Sequence, residues 1–194
     1  HILAPDLRGH GDSQAVPGPY SMDLFAADIK AFLEALGVAE QIVLGGLSMG
    51  GYVAFAFLRK YPHLVKGLIL TATRAAADSE QAKAGREQTA LLAREKGVQA
   101  VVQGMLPKMF APTTLEGNPG LVMQIKDVME STSLDGVIGD LAAMKERPDS
   151  TPELSGISIP TLIVHGAQDA IVPLAEAQAM QQAIPAATLQ VIEG

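Results

Sequence analysis

Residues Ile42-Val43-Leu44-Gly45-Gly46-Leu47-Ser48-Met49-Gly50-Gly51-Tyr52-Val53 hold the decisive reading of this chain. Ile42 to Leu44 has the pattern of a short buried strand, and the run from Met49 to the stop at Pro62 that of a helix, so the residues between must turn directly from one into the other. That turn contains G-x-S-x-G. A strand bending straight into a helix forces its middle residue into a strained backbone geometry that lifts the side chain clear, and neighbouring positions cannot hold bulk. Gly46 and Gly50 are expected to meet that steric demand. The raised Ser48 hydroxyl would stand at a helix N-terminus, where the Met49 N–H can donate to a developing oxyanion. The competing reading is a glycine-rich turn whose serine merely caps the helix. A phosphate-cradling loop does not fit, because Tyr52-Val53 follow Gly51 where a lysine would be needed.

Outward from this turn, further apolar runs predict strands at Ile2 to Ala4, Leu68 to Leu70, Thr161 to Val164 and Leu189 to Ile192. Their continuity is the pattern of a parallel sheet covered on both faces. Helices separate most of them. Ser21 is an N-cap with Asp23 in the first turn, and Phe25, Ile29, Phe32, Leu33 and Leu36 share one face before Gly37 stops the helix. Another helix opens near Pro173 and stops at Pro185. The alternation fails from about Arg74 to Ser150, where Glu80 to Lys96, Val98 to Met109, Leu121 to Glu130 and Leu134 to Lys145 read as helices of an inserted lobe. The apolar runs at both ends are expected to be strands cut within a sheet.

A serine hydroxyl needs a histidine to take its proton and a carboxylate to orient that histidine. Asp169 is the carboxylate candidate, because it follows a buried strand in His165-Gly166-Ala167-Gln168-Asp169, and parallel sheets build their sites at strand C-terminal ends. An Asp in a turn is the bland alternative. Asp78 is a weaker candidate. Chain order places the base after the acid, yet no histidine lies between Asp169 and Gly194. His10, His63 and His165 are expected to be structural.

The sequence has 194 residues, 48% of them hydrophobic and 18% charged, the balance of a packed globule. Fourteen Lys and Arg against 21 Asp and Glu give a net charge of −7, which excludes a basic surface for nucleic acid. The run Tyr52 to Leu58 is far shorter than the ~20 residues a spanning helix needs, so no membrane partner is expected. With no cysteine and no paired histidines at ligand spacing, neither a metal nor a cofactor is expected. Met105, Met109, Met123, Met129 and Met144 are more in keeping with core than with a pocket. Arg74, Arg86 and Lys126 could hold a substrate carboxylate, although solvated surface is the default. The expected compartment is the cytoplasm, and nothing sets an oligomeric state.

Three ordered stretches, Ala4-Pro5-Asp6-Leu7-Arg8-Gly9-His10-Gly11-Asp12-Ser13, the turn around Ser48 and the loop around Asp169, resemble the α/β-hydrolase superfamily. Gly46 through Leu70 and the helical lobe are most similar to small bacterial esterases and 3-oxoadipate enol-lactonases. The resemblance implies a partial α/β-hydrolase fold: a mostly parallel sheet with flanking helices and an inserted helical cap. Residues 1–73 and 151–194 would form an incomplete core and residues 74–150 the cap, placed above Ser48. It implies hydrolysis of a small-molecule carboxylic ester or lactone through an acyl-enzyme on Ser48, with Asp169 orienting a histidine not present here. A second oxyanion donor would come from upstream of residue 1. Asp6, Arg8, Gly9, Gly11 and Ser13 match an architectural loop. Haloperoxidase-like perhydrolysis, acyl transfer and a non-catalytic ligand receptor are the alternatives the resemblance leaves open.

Overall fold

The computed structural model describes residues 1–193; Gly194, the last residue of the expected core segment, lies outside them. Four strands, β1 (Ile42–Leu47), β2 (Val65–Thr71), β3 (Thr161–Gly166) and β4 (Ala187–Ile192), form one sheet in the order β1-β2-β3-β4. Every pairing is parallel. Parallel neighbours need crossovers, and here helices supply two of them: α2 (Met49–Lys60) joins β1 to β2, and α8 (Leu174–Ala183) joins β3 to β4. This is an α/β fold.

The chain divides into two compact units, His1–Ser21 with Asp78–Glu146, and Met22–Ala77 with the residues from Arg147 onward. The second unit holds the sheet. Its first helix, α1 (Met22–Ala35), carries Asp23 in the first turn and buries Met22, Phe25, Ala26 and Leu33. Gly37 ends it at φ 68°, a left-handed conformation cheap only for glycine, and the Val38 N–H returns to the Leu33 carbonyl. Phe57, Leu68, Leu70, Ile163, Met180 and Ile184 are fully buried, so α2 and α8 close over one face of the sheet. The other face is not covered as the apolar runs predict: Val43, Leu47, Leu162 and Ile192, which alternate with the buried set, are 54%, 64%, 39% and 53% exposed.

The first unit is helical: α3 (Glu80–Lys96), α4 (Val98–Met105), α5 (Pro112–Gly117), α6 (Pro119–Glu130) and α7 (Leu134–Lys145). Ser79, Asn118 and Ser133 cap α3, α6 and α7 by accepting the N–H groups of Ala82, Leu121 and Gly136. The expected helix from Val98 to Met109 stops at Met105, because Pro107 tightens the next turn into a 3-10 helix over Leu106–Lys108. The N-terminal loop packs against α7: Ser133 Oγ donates to the Gly9 carbonyl, and a Cβ on Gly136 would strike the Gly9 backbone. Within that loop, the Asp12 N–H and the Ser13 hydroxyl bond to Asp6 at 3.1 and 2.7 Å, an architectural arrangement.

Two further expectations are corrected. Ile2 to Ala4 form no strand among the described residues, since an apolar run becomes one only where a neighbouring ladder receives its backbone groups; Ile2 is 95% exposed. The lobe methionines do not fill its core. Met105, Met109 and Met123 are exposed, Met129 and Met144 half-buried, and the buried positions go instead to Ala93, Val98, Val102, Leu141 and Ala143. No helix among the described residues is long and apolar enough to cross a membrane.

Candidate functional site

Ser48 is the single residue between β1 and α2, and its backbone is strained, with φ 51° and ψ −112°. Such a conformation persists only where the surroundings over-determine it. Three hydrogen bonds do so: the Ser48 N–H donates to Thr71 O at 2.8 Å, and its carbonyl accepts from Gly51 N at 2.9 Å and Thr73 Oγ1 at 2.8 Å. The side chain makes no cap bond to the helix. Ser48 is thus not the helix cap of the competing reading. Met49 is the first residue of α2, so its N–H has no carbonyl four residues back in the helix to meet.

The steric demand falls on Gly46, as expected, but on Gly51 rather than Gly50. A Cβ on Gly46 would overlap the Gly50 carbonyl, and one on Gly51 would approach Thr73 Cβ to 2.7 Å. At Gly50 an added Cβ would meet nothing within 4 Å, which corrects the expectation placed on it: the Gly50 carbonyl does the crowding, and its own α carbon faces open space.

Asp169 lies in the loop that follows β3. Its Oδ1 accepts the N–H groups of Ile171 and Val172 at 2.8 and 2.9 Å, the geometry by which an Asp mimics a backbone turn. Its Oδ2 is 3.6 Å from His165 Nε2. The bland turn role is therefore real, but it occupies Oδ1 and leaves the side chain 15% exposed. His165 is buried and bonds through Nε2 to the Val172 carbonyl at 2.8 Å. A carbonyl only accepts, so Nε2 carries the proton, and the ring closes the acid loop from within.

Ser48 and the acid loop emerge at the same edge of the sheet. Leu47 pairs with Thr71, Thr71 with Val164, and β3 ends two residues later at Gly166. One strand separates their roots, a span of about 10 Å that two side chains and an imidazole can bridge. This C-terminal edge is where parallel α/β sheets place their chemistry.

The remaining candidates are engaged elsewhere. Asp78 is buried and paired through Oδ2 with Arg86 Nε at 3.1 Å. Lys126 pairs with Glu130 at 3.0 Å. Arg74 donates to the Ile171 carbonyl at 3.3 Å and lies 3.9 Å from Glu176. None of the three cations is a free carboxylate receptor. His10 bonds Asp140 Oδ2 at 3.0 Å, where the Asp140 carboxylate raises its pKa against the opposing effect of burial. His63 is exposed in the turn after α2, its carbonyl bonded by the Gln41 amide. Thr73 was not legible as a site residue. It is fully buried, and only the sequence position just past the β2 run hints at the bond it makes.

Comparison with known proteins agrees with this fold. Residues 1–194 match the alpha/beta hydrolase fold family. The chain is similar to 3-oxoadipate enol-lactonase 2 of Acinetobacter baylyi, 32% identical over 192 residues, covering 99% of this chain and 70% of that protein. Three further curated relatives, each 28% identical, are spanned over 61% of their length. Among solved structures it is similar to a thermophilic esterase from Thermogutta terrifontis, with 43% identity, a TM-score of 0.94, and 97% of this chain and 70% of that one covered. It is also similar to an enol-lactonase from Burkholderia xenovorans, with 29% identity, a TM-score of 0.88, and 96% and 70% covered.

Proposed function

Because this chain belongs to the α/β-hydrolase family, we propose that it carries the nucleophile and the acid of a serine hydrolase acting on a small-molecule carboxylic ester or lactone. The observation that carries the reading is the strained Ser48 backbone at a strand-to-helix bend, on the same sheet edge as a loop presenting Asp169. The esterase and enol-lactonase relatives support the substrate class.

In this mechanism Ser48 Oγ attacks the ester carbonyl carbon while a histidine takes its proton, giving a tetrahedral oxyanion that the Met49 N–H stabilises at the start of α2. Collapse expels the alcohol, which receives the proton, and leaves an acyl group on Ser48. Water, losing a proton to the same histidine, then attacks the acyl carbon, and collapse releases the carboxylic acid as the proton returns to Ser48 Oγ. Asp169 Oδ2 orients the histidine, since Oδ1 is committed to two backbone amides. His165, fully buried on Val172, and His10, bonded to Asp140, are both engaged in structural roles and are not assigned as that histidine.

The test is Ser48→Ala in the full-length protein, assayed with p-nitrophenyl acetate. Turnover should fall on the order of 10⁶-fold. Wild-type kcat in the Ser48→Ala protein would overturn the nucleophile, and a wild type without ester turnover would overturn the esterase reading.

A further inference from the structure

The segment leaving β2 touches both halves of the proposed machinery through consecutive residues. Ala72 is the one non-glycine residue besides Ser48 with positive φ among the described residues, at 46°, and its N–H is held by the Val164 carbonyl at 3.0 Å. This bend sends the next two side chains to different neighbours. Thr73, 0% exposed, donates Oγ1–H to the Ser48 carbonyl at 2.8 Å and fills the space that Gly51 leaves by having no side chain. Arg74 donates Nη2–H to the Ile171 carbonyl at 3.3 Å, and its Nη1 lies 3.9 Å from Glu176 in the first turn of α8. Ile171 is also the residue whose N–H holds Asp169 Oδ1 at 2.8 Å.

From this we propose that Thr73 and Arg74 are paired positioning residues, fixing the Ser48 bend and the Asp169 loop against one another from a single strand end. The proposal rests on the serine-hydrolase reading above. Neither side chain touches the reacting atoms; each holds a backbone carbonyl next to a catalytic group. A strained residue needs such support because the strain would otherwise relax, and a displacement of about 1 Å at a nucleophile can cost about 100-fold in rate. Substrate binding does not depend on either bond, so the loss belongs to kcat.

The experiment uses the full-length protein with p-nitrophenyl acetate, comparing Thr73→Val, Thr73→Ser, Arg74→Met and Ser48→Ala, with circular dichroism as the fold control. Thr73→Val keeps the shape and removes the hydroxyl; kcat should fall about 10- to 100-fold with KM within about threefold. Thr73→Ser keeps the hydroxyl and should recover to within about threefold of wild type. Arg74→Met should lower kcat about tenfold, and the Thr73→Val, Arg74→Met double variant should lose less than the product of the single losses, since both act on one geometry. The proposal is overturned if Thr73→Val retains wild-type kcat, if Thr73→Ser is as impaired as Thr73→Val, or if folded Arg74→Met is unimpaired. Should Thr73→Val not fold, Arg74→Met decides alone. An active Ser48→Ala would sink the underlying hydrolase reading, whereas an inactive Ser48→Ala beside unimpaired Thr73 and Arg74 variants sinks only the positioning pair.

Discussion

His165 Nε2 and the Val172 carbonyl, seven residues apart in sequence, meet at 2.8 Å in the buried interior of the loop that carries Asp169. The ring is 0% exposed in its side chain, and its Nδ1 has no hydrogen-bond partner among the described residues. A neutral imidazole with its proton on Nε2 satisfies the carbonyl and leaves only a weak acceptor bare. Removing the ring opens a cavity and leaves a carbonyl unpaired, each a named route to large destabilisation. His165→Ala is therefore expected to cost about 3 kcal/mol, which for a protein of this size lowers Tm by roughly 6–12 °C. Calorimetry measures it, and an unchanged Tm would remove His165 from the structure of the loop.

Asp169→Asn separates the two tasks of that carboxylate. The amide oxygen can still accept the N–H groups of Ile171 and Val172, so the loop should persist, with stability within about 1 kcal/mol of wild type. The charge that would orient and stabilise a protonated histidine is gone, and kcat should fall by up to ~10⁴-fold. Measured together, an intact melting curve with lost turnover supports the catalytic role; a collapsed melting curve would mean that holding the turn is the main task of Asp169.

What could be read from the sequence was whatever local punctuation decides. Gly37 and Pro62 mark the ends of α1 and α2, and these two helices, with α3 and α7, have the expected extent to within a residue or two. The Ser48 strain was legible because strand and helix patterns abut with no room for a loop. What depends on a partner distant in the chain was not. The continuous apolar runs read as buried on both faces, but whether Val43 and Leu162 are covered depends on layers that the strand's own sequence does not encode. Gly50 and Gly51 are indistinguishable as letters, and only the approach of Thr73 from the end of β2 decides which of them must lack a side chain. Likewise, the buried pairing of Asp78 with Arg86 removes both from the list of site candidates, and no spacing rule announces it.

The three glycines of the bend make that distinction measurable. Gly46→Ala would force a methyl into the Gly50 carbonyl, a backbone atom with nowhere to retreat, and should destabilise by about 2–4 kcal/mol or prevent folding. Gly51→Ala presses on Thr73, so it should cost about 1–3 kcal/mol and also disturb the Ser48 carbonyl. Gly50→Ala meets open space inside a helix, where alanine is favoured over glycine by about 1 kcal/mol, and should be neutral or stabilising. Urea midpoints of the three variants give the ranking, and a Gly50→Ala as damaging as Gly46→Ala would contradict the packing described.

The last prediction concerns His10 and Asp140, both in the unit formed by His1–Ser21 and Asp78–Glu146. His10 Nδ1 faces the Arg8 carbonyl at 3.1 Å and Nε2 faces Asp140 Oδ2 at 3.0 Å, so both nitrogens meet acceptors and the imidazolium is the form that fits. The hydrogen bond to Asp140 is the largest reason the His10 pKa lies above 6.5, with burial opposing it and the Asp6 charge adding to it. Burial also pushes the Asp140 carboxyl up, outweighing the pull of His10, so the pair titrates as one coupled system whose folded form holds protons more tightly than the unfolded chain does. The stabilisation from His10 is complete below about pH 6.5 and is lost as pH rises through the raised value. Denaturant midpoints taken between about pH 6 and about pH 8 should fall more steeply for wild type than for His10→Gln, which cannot take up the proton. An equal slope in the two proteins would show that folding does not raise the pKa of His10.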